Sequence, residues 1–498
     1  MENYLIGIET VFTVPGILAI VVGTAAGIFV GAMPGLGPSL GVALLIPATY
    51  GLSPSVGLNM LVALYLAAEY GGSISAVLIG TPGTAAATAT VVDGYPLNQK
   101  GFPGKAMGAS LVGSTIGGII GGLALMTISE PIARLALKFG PPEYFALAVF
   151  GLAIVSSLSS ENVLKGLLMA TVGIMLTVVG VDSITGAPRF TFGFFELFEG
   201  IPFLTALIGL FAIAEAFSMI EEAASQIRLD TKVARGFLTL KECFRLTVTF
   251  LRGSVIGVVV GAIPGAGANI AGWIAYDQEK RWSRHPEEFG KGAVEGVAAP
   301  ESANSSSVGG ALVPLLTLGI PGSPTTAVLI GALILHGLQP GPRLFVSNPE
   351  VIYGLFVGLI VAYPVLFAMG RLAMGLWVRV IEIPKSVLAP VVLALSVLGA
   401  YSIRNLMFDV WLTIGFGVFG YILKKYKFPA APLVLAMVLG YMAESNYRRG
   451  LIMSQGSHDI FLQQPISAVF LILAALSFLW PIVQQVRKSR RAARAGKQ

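Results

Sequence analysis

Charged residues are scarce in this chain. Only 12% of the 498 residues are Asp, Glu, Lys or Arg and 55% are hydrophobic, whereas a soluble domain carries roughly 25% charged residues. Together with a mean hydropathy of +0.80, this composition excludes a soluble globular protein and indicates an integral membrane protein. Apolar runs recur from residue 11 to residue 484, and at about 20 residues per helix they predict about 10 to 14 spans.

Cysteine and recognisable catalytic motifs are also missing. Cys243 is the only cysteine, which excludes a disulfide or a CxxC site within the chain. The sequence lacks an HExxH zinc motif and a GxxxxGK(S/T) nucleotide loop, and no GxSxG sequence stands out at a strand-to-helix turn. We therefore expect neither an enzyme nor a cofactor, and an ATP-driven permease would depend on a separate ATPase chain.

The net charge of +6 comes from basic clusters between and after the apolar runs. By the positive-inside rule such clusters mark cytoplasmic segments, so the C-terminus is predicted to be cytoplasmic. Because membrane topology accounts for these charges, no nucleic-acid partner is expected. The clusters are residues 487–498, then Lys424, Lys425 and Lys427, and finally Arg228, Lys232, Arg235, Lys241 and Arg245.

One glycine- and proline-rich stretch occurs twice. GIFVGAMPGLGPSLG at 27–41 aligns without gaps with GVVVGAIPGAGANIA at 257–271, at an offset of 230 residues. A second motif recurs in the same order, as GTPGT at 80–84 and GIPGS at 319–323. The GxxxG pair at the start of each first stretch predicts close helix packing, but packing alone does not require the PG-x-G that follows.

The two halves differ in where their basic residues fall. After the first stretch, basic residues such as Lys280 and Arg281 occur in the second half only. After the second motif the bias is reversed, because Lys100 and Lys105 follow it in the first half and only Arg343 follows it in the second. Equivalent loops are therefore expected to face opposite sides, which is typical of the inverted-topology repeats of secondary transporters. The predicted fold is an all-α polytopic membrane protein. Its predicted parts are a first repeat half 1–220, an amphipathic cytoplasmic linker 221–250, a second repeat half 251–486 and a basic tail 487–498.

The repeated motifs are expected to break membrane helices. Proline removes a backbone donor and glycine permits a left-handed path, so re-entrant hairpins or discontinuous helices enclosed by protein or water are predicted. The half-helix after a break offers N–H groups that suit a carboxylate, and the end before it offers carbonyl oxygens that suit Na⁺. The predicted substrate-binding residues are Gly35, Gly37, Ser39, Thr84, Gly265, Gly267, Asn269, Asn304, Ser305, Ser306, Ser323 and Thr325, and the predicted Na⁺ ligands are Thr81, Gly83, Gly319, Gly322 and Thr326.

Polar residues within the apolar runs are candidates for the same site. Asn304 belongs to the run ESANSSS at 301–307, for which hydrogen bonding between helices is the alternative explanation. Glu69 and Glu301 are expected to occupy matching places in the repeat. Their distances to the second motif, 11 and 18 residues, differ by seven residues, which is interpreted as an insertion of about two helical turns. Ion coordination, proton coupling and structural capping all remain open as roles of these two carboxylates.

The duplicated PG-x-G signatures and the G-x-PG-(S/T) segments, within 27–41, 69–96 and 257–342, resemble those of the tripartite tricarboxylate transporters, specifically their large transmembrane subunit. The resemblance covers nearly the full length. It implies a multi-pass protein of the bacterial inner membrane that works with a small membrane subunit of about four helices and a periplasmic solute-binding protein. It also implies uptake of citrate or other carboxylates, driven by a Na⁺ or proton gradient.

Other carriers with inverted repeats and re-entrant hairpins provide an analogy for the transport motion. An elevator mechanism is expected, in which a core containing all four broken segments slides against a scaffold drawn from residues 104–219 and 350–484. Carbonyl-lined breaks also build selectivity filters, so an ion channel or uniporter is the alternative. A channel would pass current without saturable coupling to Na⁺ or H⁺.

Overall fold

The structure is a computed structural model that describes residues 2–158, 163–182, 184–222 and 236–479. Regular structure in this part is almost entirely helical. The described strands are β1 (Gly180–Val181) and β2 (Pro188–Arg189), which pair antiparallel. Residues 223–235 of the expected linker and the whole basic tail lie outside the described residues.

The first half of the chain alternates long helices with short ones that follow a break. The described helices of this half are α1 (Glu2–Val11), α2 (Val14–Ala32), α3 (Pro38–Leu45), α4 (Pro54–Ile79), α5 (Thr88–Gln99), α6 (Pro103–Ala136), α7 (Pro141–Leu158), α8 (Val163–Thr177), α9 (Phe203–Leu207) and α10 (Ala214–Glu221). A π-helical turn, Ile208–Ile213, joins α9 to α10 in one continuous stretch.

The second half opens with the same alternation. Its described helices are α11 (Leu240–Arg245), α12 (Thr247–Gly261), α13 (Gly267–Trp282), α14 (Glu295–Leu318), α15 (Pro324–Leu335), α16 (Leu344–Ser347), α17 (Pro349–Leu372), α18 (Met374–Val380), α19 (Lys385–Arg404), α20 (Met407–Lys425), α21 (Ala430–Met453) and α22 (Ile460–Gln463). A further apolar helix covers Pro465–Leu479. Helix α12 begins at Thr247, within the last residues of the expected linker 221–250.

Seven helical stretches of the described chain are long and apolar enough to cross a membrane, and five shorter apolar helices accompany them. This agrees with an all-α polytopic membrane protein. The full-length spans are fewer than the predicted about 10 to 14, for two physical reasons. The breaks leave α12 and α15 shorter than a full membrane span. The polar run in α14 makes that 24-residue helix too polar to be recognised as a membrane-spanning helix.

The chain forms two compact units that do not coincide with its two halves. Unit 1 contains Met1–Ala136 and Leu207–Tyr421, and unit 2 contains Leu137–Ala206 and the chain from Ile422 onward. All four breaks therefore lie in unit 1. The expected scaffold is divided, because its residues 104–136, 207–219 and 350–421 belong to unit 1 together with the breaks, and α6 packs along α14.

Glycines spaced by four residues let helices approach closely in both halves of unit 1. In α2 and in α12, a Cβ added to any of three such glycines would lie within 2.6 Å of a main-chain oxygen of the facing helix. The predicted glycine packing is thus confirmed. The pairs in the first half are Gly23 with Met60, Gly27 with Leu64 and Gly31 with Ala68, and those in the second half are Gly253 with Ala299, Gly257 with Ala303 and Gly261 with Ser307.

This packing fixes how the two halves correspond. The glycines of α2 and α12 are 230 residues apart, and the residues that they touch in α4 and α14 are 239 apart in every case. The opposite face of α12 carries Val248, Leu251, Val255 and Val259, which are all exposed and recur every three or four residues. Such a stripe suits a surface that faces lipid.

Unit 2 is stabilised by an ion-pair cluster at one end of α21. Arg189 of β2 lies 3.1 Å from Asp182 and 2.6 Å from Glu444, and Arg448 also pairs with Asp182. Hydrogen bonds from the backbone N–H of Thr185 and from Arg448 hold the pKa of Asp182 below its ordinary value. The cluster fixes the polar segment between α8 and α9 to α21.

Candidate functional site

The first break of each half follows the glycine-packed helix. The chain turns at Gly35 between α2 and α3, with a φ of +101°, and at Gly265 and Gly267 between α12 and α13, with φ of +81° and +61°. These angles lie in the left-handed region, which glycine adopts without a steric penalty. The helices thus end where the proline and glycine motifs predicted a break.

The second break of each half has matching geometry. Helix α4 ends at Gly80, with a φ of +69°, and α14 ends at Gly319, with a φ of +73°. After each turn the chain folds back against the helix that it has just left, and a glycine is needed because the backbones nearly touch. A Cβ on Gly83 would lie 2.9 Å from Gly72 Cα, and one on Gly322 would lie 2.7 Å from Ala311 Cα.

Hydrogen bonds between side chains bring the breaks of different halves together. Ser39, which follows the first break of the first half, has its Oγ 2.9 Å from Oγ1 of Thr325, which follows the second break of the second half. The buried Tyr65 hydroxyl of α4 lies 3.1 Å from Ser323 Oγ. Hydroxyls from both halves therefore converge at the start of α15.

The two breaks of the second half also contact each other. The Gly265 N–H donates to the Gly322 carbonyl at 3.0 Å, and a side chain at Gly267 would touch Ser323. The first residues of α13, α15 and α3 thus surround one point. Among the predicted site residues, this point collects Ser39, Gly265, Gly267, Gly322, Ser323, Thr325 and Thr326.

The helices that begin at this point differ in whether a side chain accepts hydrogen bonds from their first backbone N–H groups. Helix α15 has a capping box, in which Ser323 and Thr326 exchange side-chain and backbone hydrogen bonds. Neither α3 nor α13 has a side-chain cap. An N-terminus without a cap presents N–H groups and a partial positive charge. The starts of α3 and α13 can therefore hold an anionic group beside Ser39 and Ser323.

The polar run of α14 is buried, as expected of residues that do not face lipid. The Asn304 side-chain amide donates to the main-chain carbonyl of Glu69 at 3.3 Å. The side-chain oxygens Asn304 Oδ1 and Ser305 Oγ have no hydrogen-bond partner. The Ser306 hydroxyl instead donates to the Ala303 carbonyl of its own helix. Asn304 and Ser305 keep hydrogen-bonding capacity for a ligand, whereas Ser306 serves its own helix.

The two buried glutamates do not occupy matching positions, contrary to the expectation from sequence. At the offset of 239 residues, Glu69 corresponds to Val308 and Glu301 corresponds to Val62. Helices α4 and α14 have 26 and 24 residues and both end at the second break, so no seven-residue insertion separates them. The two positions differ by seven residues, roughly 10 Å along a helix axis.

The surroundings of these carboxylates differ accordingly. Glu301 accepts hydrogen bonds from three hydroxyls, those of Thr90, Ser110 and Ser114. The Oε2 atom of Glu69 is buried without a partner. Sequence reasoning missed all three hydroxyls. The signal that could have pointed to two of them is the spacing of Ser110 and Ser114, which places both on one face of the apolar α6.

The remaining predicted residues lie at the edges of the site. Thr81 is exposed and lines a cavity of about 230 Å³, together with Met33 and Pro34 of the first break. Asn269 is exposed on α13, and Gly37 borders open space. The other two predicted Na⁺ ligands, Gly83 and Gly319, contact neighbours within their own halves of the chain.

Comparison with known proteins gives the family. The model of the tripartite tricarboxylate transporter TctA family matches residues 17–435, a region that includes all four breaks. The chain is 39% identical over 490 residues to an uncharacterized 52.8 kDa protein in the TAR-I ttuC′ 3′ region of Agrobacterium vitis, with 98% of each chain covered. It is 38% identical over 234 residues to an uncharacterized protein in the TAR-II ttuC′ 3′ region of the same organism, covering 47% of this chain and 97% of that one. No solved structure matches. The chain belongs to the tripartite tricarboxylate transporter TctA family.

Proposed function

We propose that this membrane subunit imports carboxylates as part of a binding-protein-dependent secondary transporter of the bacterial inner membrane, with a Na⁺ or proton gradient as the energy source. Membership of the family supports a role as the membrane subunit of a tricarboxylate transporter. The observation that carries the finer proposal is the hydrogen bond between Ser39 and Thr325. This hydrogen bond joins broken segments of both halves in one polar site within unit 1.

The carboxylate is held mainly by backbone dipoles and hydroxyls. The uncapped N-termini of α3 and α13 supply N–H donors, and Ser39, Ser323 and Thr325 supply hydroxyls. A helix N-terminus attracts anions through its dipole and its free donors. These donors can serve a citrate-like substrate without an arginine clamp.

The transport motion is proposed to be an elevator movement of inverted repeats. Two observations support it, namely the matched packing at offsets of 230 and 239 residues and the presence of all four breaks in unit 1. Replacing the single cysteine by Cys243→Ser provides a background for engineered crosslinks between the two units. Crosslinks that form between the units and leave uptake unimpaired would contradict the elevator movement.

The partners are proposed to be a small membrane subunit of about four helices and a periplasmic solute-binding protein. The C-terminus is proposed to be cytoplasmic, because Lys424 and Lys425 lie in the last turn of α20, Lys427 follows it, and the tail beyond residue 486 is basic. Proteolysis of right-side-out vesicles tests this orientation. Removal of a tail epitope by external protease would refute it.

Reconstituted uptake tests the function itself. The chain is placed in proteoliposomes with both partners, and uptake of labelled citrate and of smaller carboxylates is measured under imposed Na⁺ or proton gradients. We expect saturable uptake that needs the binding protein and one of the gradients. Saturation without any gradient dependence, or current that flows without the binding protein, would instead favour the channel or uniporter.

Ser39→Ala is the variant that addresses the site in this assay. We expect weaker uptake because the variant removes one of the converging hydroxyls. Ser402→Ala is the matched control, since the exposed Ser402 hydroxyl only donates to the Leu398 carbonyl of its own helix. If both variants behave like the unaltered chain, Ser39 does not belong to the substrate site.

A further inference from the structure

A second polar cluster lies within unit 1, around Glu301. The fully buried carboxylate of Glu301 accepts hydrogen bonds from Thr90 at 2.5 Å, from Ser110 at 3.0 Å and from Ser114 at 3.2 Å. The Ser110 hydroxyl also lies 2.5 Å from Ser73 Oγ. These five residues come from α4, α5, α6 and α14, and all their side-chain polar atoms are oxygens. Four helices thus converge on one carboxylate.

The central group of the cluster is a carboxyl group that can carry a negative charge. In the described part of the chain, no Lys, Arg or His forms an ion pair with Glu301. A buried carboxylate without a counter-charge is costly, and in membranes such groups mark ion or proton sites. A neutralising partner is therefore required when this carboxylate is ionised.

An independent observation also indicates a ligand. The Tyr70 hydroxyl of α4 is fully buried and has no hydrogen-bond partner, and the Tyr70 main-chain carbonyl accepts the Ser73 hydroxyl at 2.8 Å. A buried hydroxyl of this kind normally finds a partner. A buried hydroxyl without a partner thus belongs to the residue one helical turn before Ser73 of the cluster.

We propose that Glu301, Thr90, Ser110, Ser114 and Ser73 form a Na⁺ site. Carboxylate and hydroxyl oxygens are hard ligands of the kind that alkali cations prefer. One carboxylate matches a single positive charge, whereas Ca²⁺ sites usually combine several carboxylates. This site differs from the one predicted at the second breaks, because Glu301 lies 18 residues before Gly319, roughly 27 Å along the helix. Its role as the coupling-ion site rests on the proposed function.

The cluster is linked to the second break of the first half. Ser73 follows Gly72, whose carbonyl accepts the Gly83 N–H at 3.1 Å, and a Cβ on Gly72 would collide with Thr84. An ion that orders Ser73 therefore also orders the segment after Gly80. The second half has Leu312 at the position equivalent to Ser73, so the repeat does not supply a second copy of the site.

Equilibrium Na⁺ binding to the purified chain tests the site without transport. Binding of labelled Na⁺ and the melting temperature are measured at constant ionic strength with K⁺ or choline replacing Na⁺. We expect Na⁺-specific stabilisation of the unaltered chain. Thr90→Val should weaken Na⁺ binding about tenfold, as expected for the loss of one polar contact to a charged group, and Glu301→Gln should abolish it.

Thr115→Val is the matched control, because Thr115 neighbours Ser114 on α6 and its hydroxyl only donates to the Leu111 carbonyl. It should leave Na⁺ affinity unchanged. Ser114→Ala is a milder variant for the case that Glu301→Gln does not fold, and it should weaken binding several-fold. Equal Na⁺ affinity of Thr90→Val, Ser114→Ala and the unaltered chain would overturn the site. A merely structural cluster would lower the melting temperature equally with and without Na⁺.

The test separates this inference from the proposed function. Carboxylate uptake driven by a proton gradient, in a chain without Na⁺-specific stabilisation, would overturn the Na⁺ site and leave carboxylate import standing. Site-specific Na⁺ binding without uptake of any carboxylate would support the site and contradict the import function.

Discussion

The Ser39 hydroxyl lies 2.9 Å from the Thr325 hydroxyl although 286 residues separate them. Each residue stands in the first turn of a short helix that follows a break, Ser39 in α3 and Thr325 in α15. A hydrogen bond between these positions requires both breaks to lie inside the same unit with their tips together. The binding properties of the protein should therefore respond to either residue.

The first prediction concerns this pair. Ser39→Ala and Thr325→Val should each raise the KM for carboxylate uptake about two- to tenfold, the range expected for one hydrogen bond. The double variant should be little worse than either single one, because both remove the same interaction. Uptake in proteoliposomes gives the values. Fully additive effects would mean that the two hydroxyls act independently.

The second prediction concerns the packing of α2 on α4. Gly31→Ala should destabilise the protein by about 1–3 kcal/mol, because the new Cβ would lie 2.0 Å from the Ala68 main-chain oxygen. Gly415→Ala in α20 is the control, since nothing lies within 4 Å of a Cβ there. Thermal unfolding of purified protein compares the two. A melting temperature that falls equally in both variants would contradict the packing explanation.

The third prediction concerns Asp93 of α5. Its Oδ1 accepts the backbone N–H groups of Gly290, Gly292 and Ala293 at 2.7–2.9 Å, and its Oδ2 accepts the Tyr276 hydroxyl at 2.8 Å. Asp93→Ala should lower the free energy of unfolding by about 3 kcal/mol or more, because buried donors lose their acceptor.

Two milder variants calibrate this effect. Asp93→Asn keeps one oxygen acceptor and Tyr276→Phe removes a single hydrogen bond, so both should destabilise less than Asp93→Ala. Thermal unfolding measures all three variants. The prediction fails if Tyr276→Phe is as damaging as Asp93→Ala.

The fourth prediction concerns pH and the ion pair between Lys105 and Glu242, whose atoms Nζ and Oε1 are 2.5 Å apart. The hydrogen bond from Lys105, followed by that from the Thr239 N–H, lowers the pKa of Glu242 from its ordinary value of 4.5 to about 2. A lowered folded-state pKa gives stability that is present above pH 4.5 and is lost as the pH falls toward 2.

Lys105→Ala should therefore reduce the melting temperature at pH 6, and the difference from the unaltered chain should shrink as the pH is lowered to 3. Lys241→Ala is the comparison, because Lys241 is next to Glu242 in sequence and takes no part in the ion pair between Lys105 and Glu242. A difference that stays constant from pH 6 to pH 3 would exclude the ion pair as its cause.

Much of the backbone plan follows from the sequence alone. Gly35, Gly80, Gly265 and Gly319 all have positive φ, and each stands in a motif that predicted a break. Such positions can be predicted because proline and glycine act through local backbone sterics. The spacing of the glycines also predicts close packing of α2, but it does not identify α4 as the partner helix.

The site was only partly predictable because it depends on which helices meet. Glu69 and Glu301 were paired by residue type, whereas the packing partners of the glycines show an offset that pairs Glu301 with Val62 instead. Thr90 and Ser114 carry no local signal of their role, since a hydroxyl in an apolar helix can also bond to its own backbone. Only the assembled helices bring these oxygens to the carboxylate of Glu301.

The glycine contacts described above have a mechanical consequence. Where Gly23, Gly27 and Gly31 rest on the main chain of α4, no flexible side chain lies between the two helices to absorb a displacement. Such a pair is expected to move as one rigid element, whereas the Ser302 and Ser306 hydroxyls lie beside Gly253 and Gly257 where α12 packs on α14. A displacement of α2 and α4 is therefore transmitted directly to the breaks at their ends, where the proposed solute site lies.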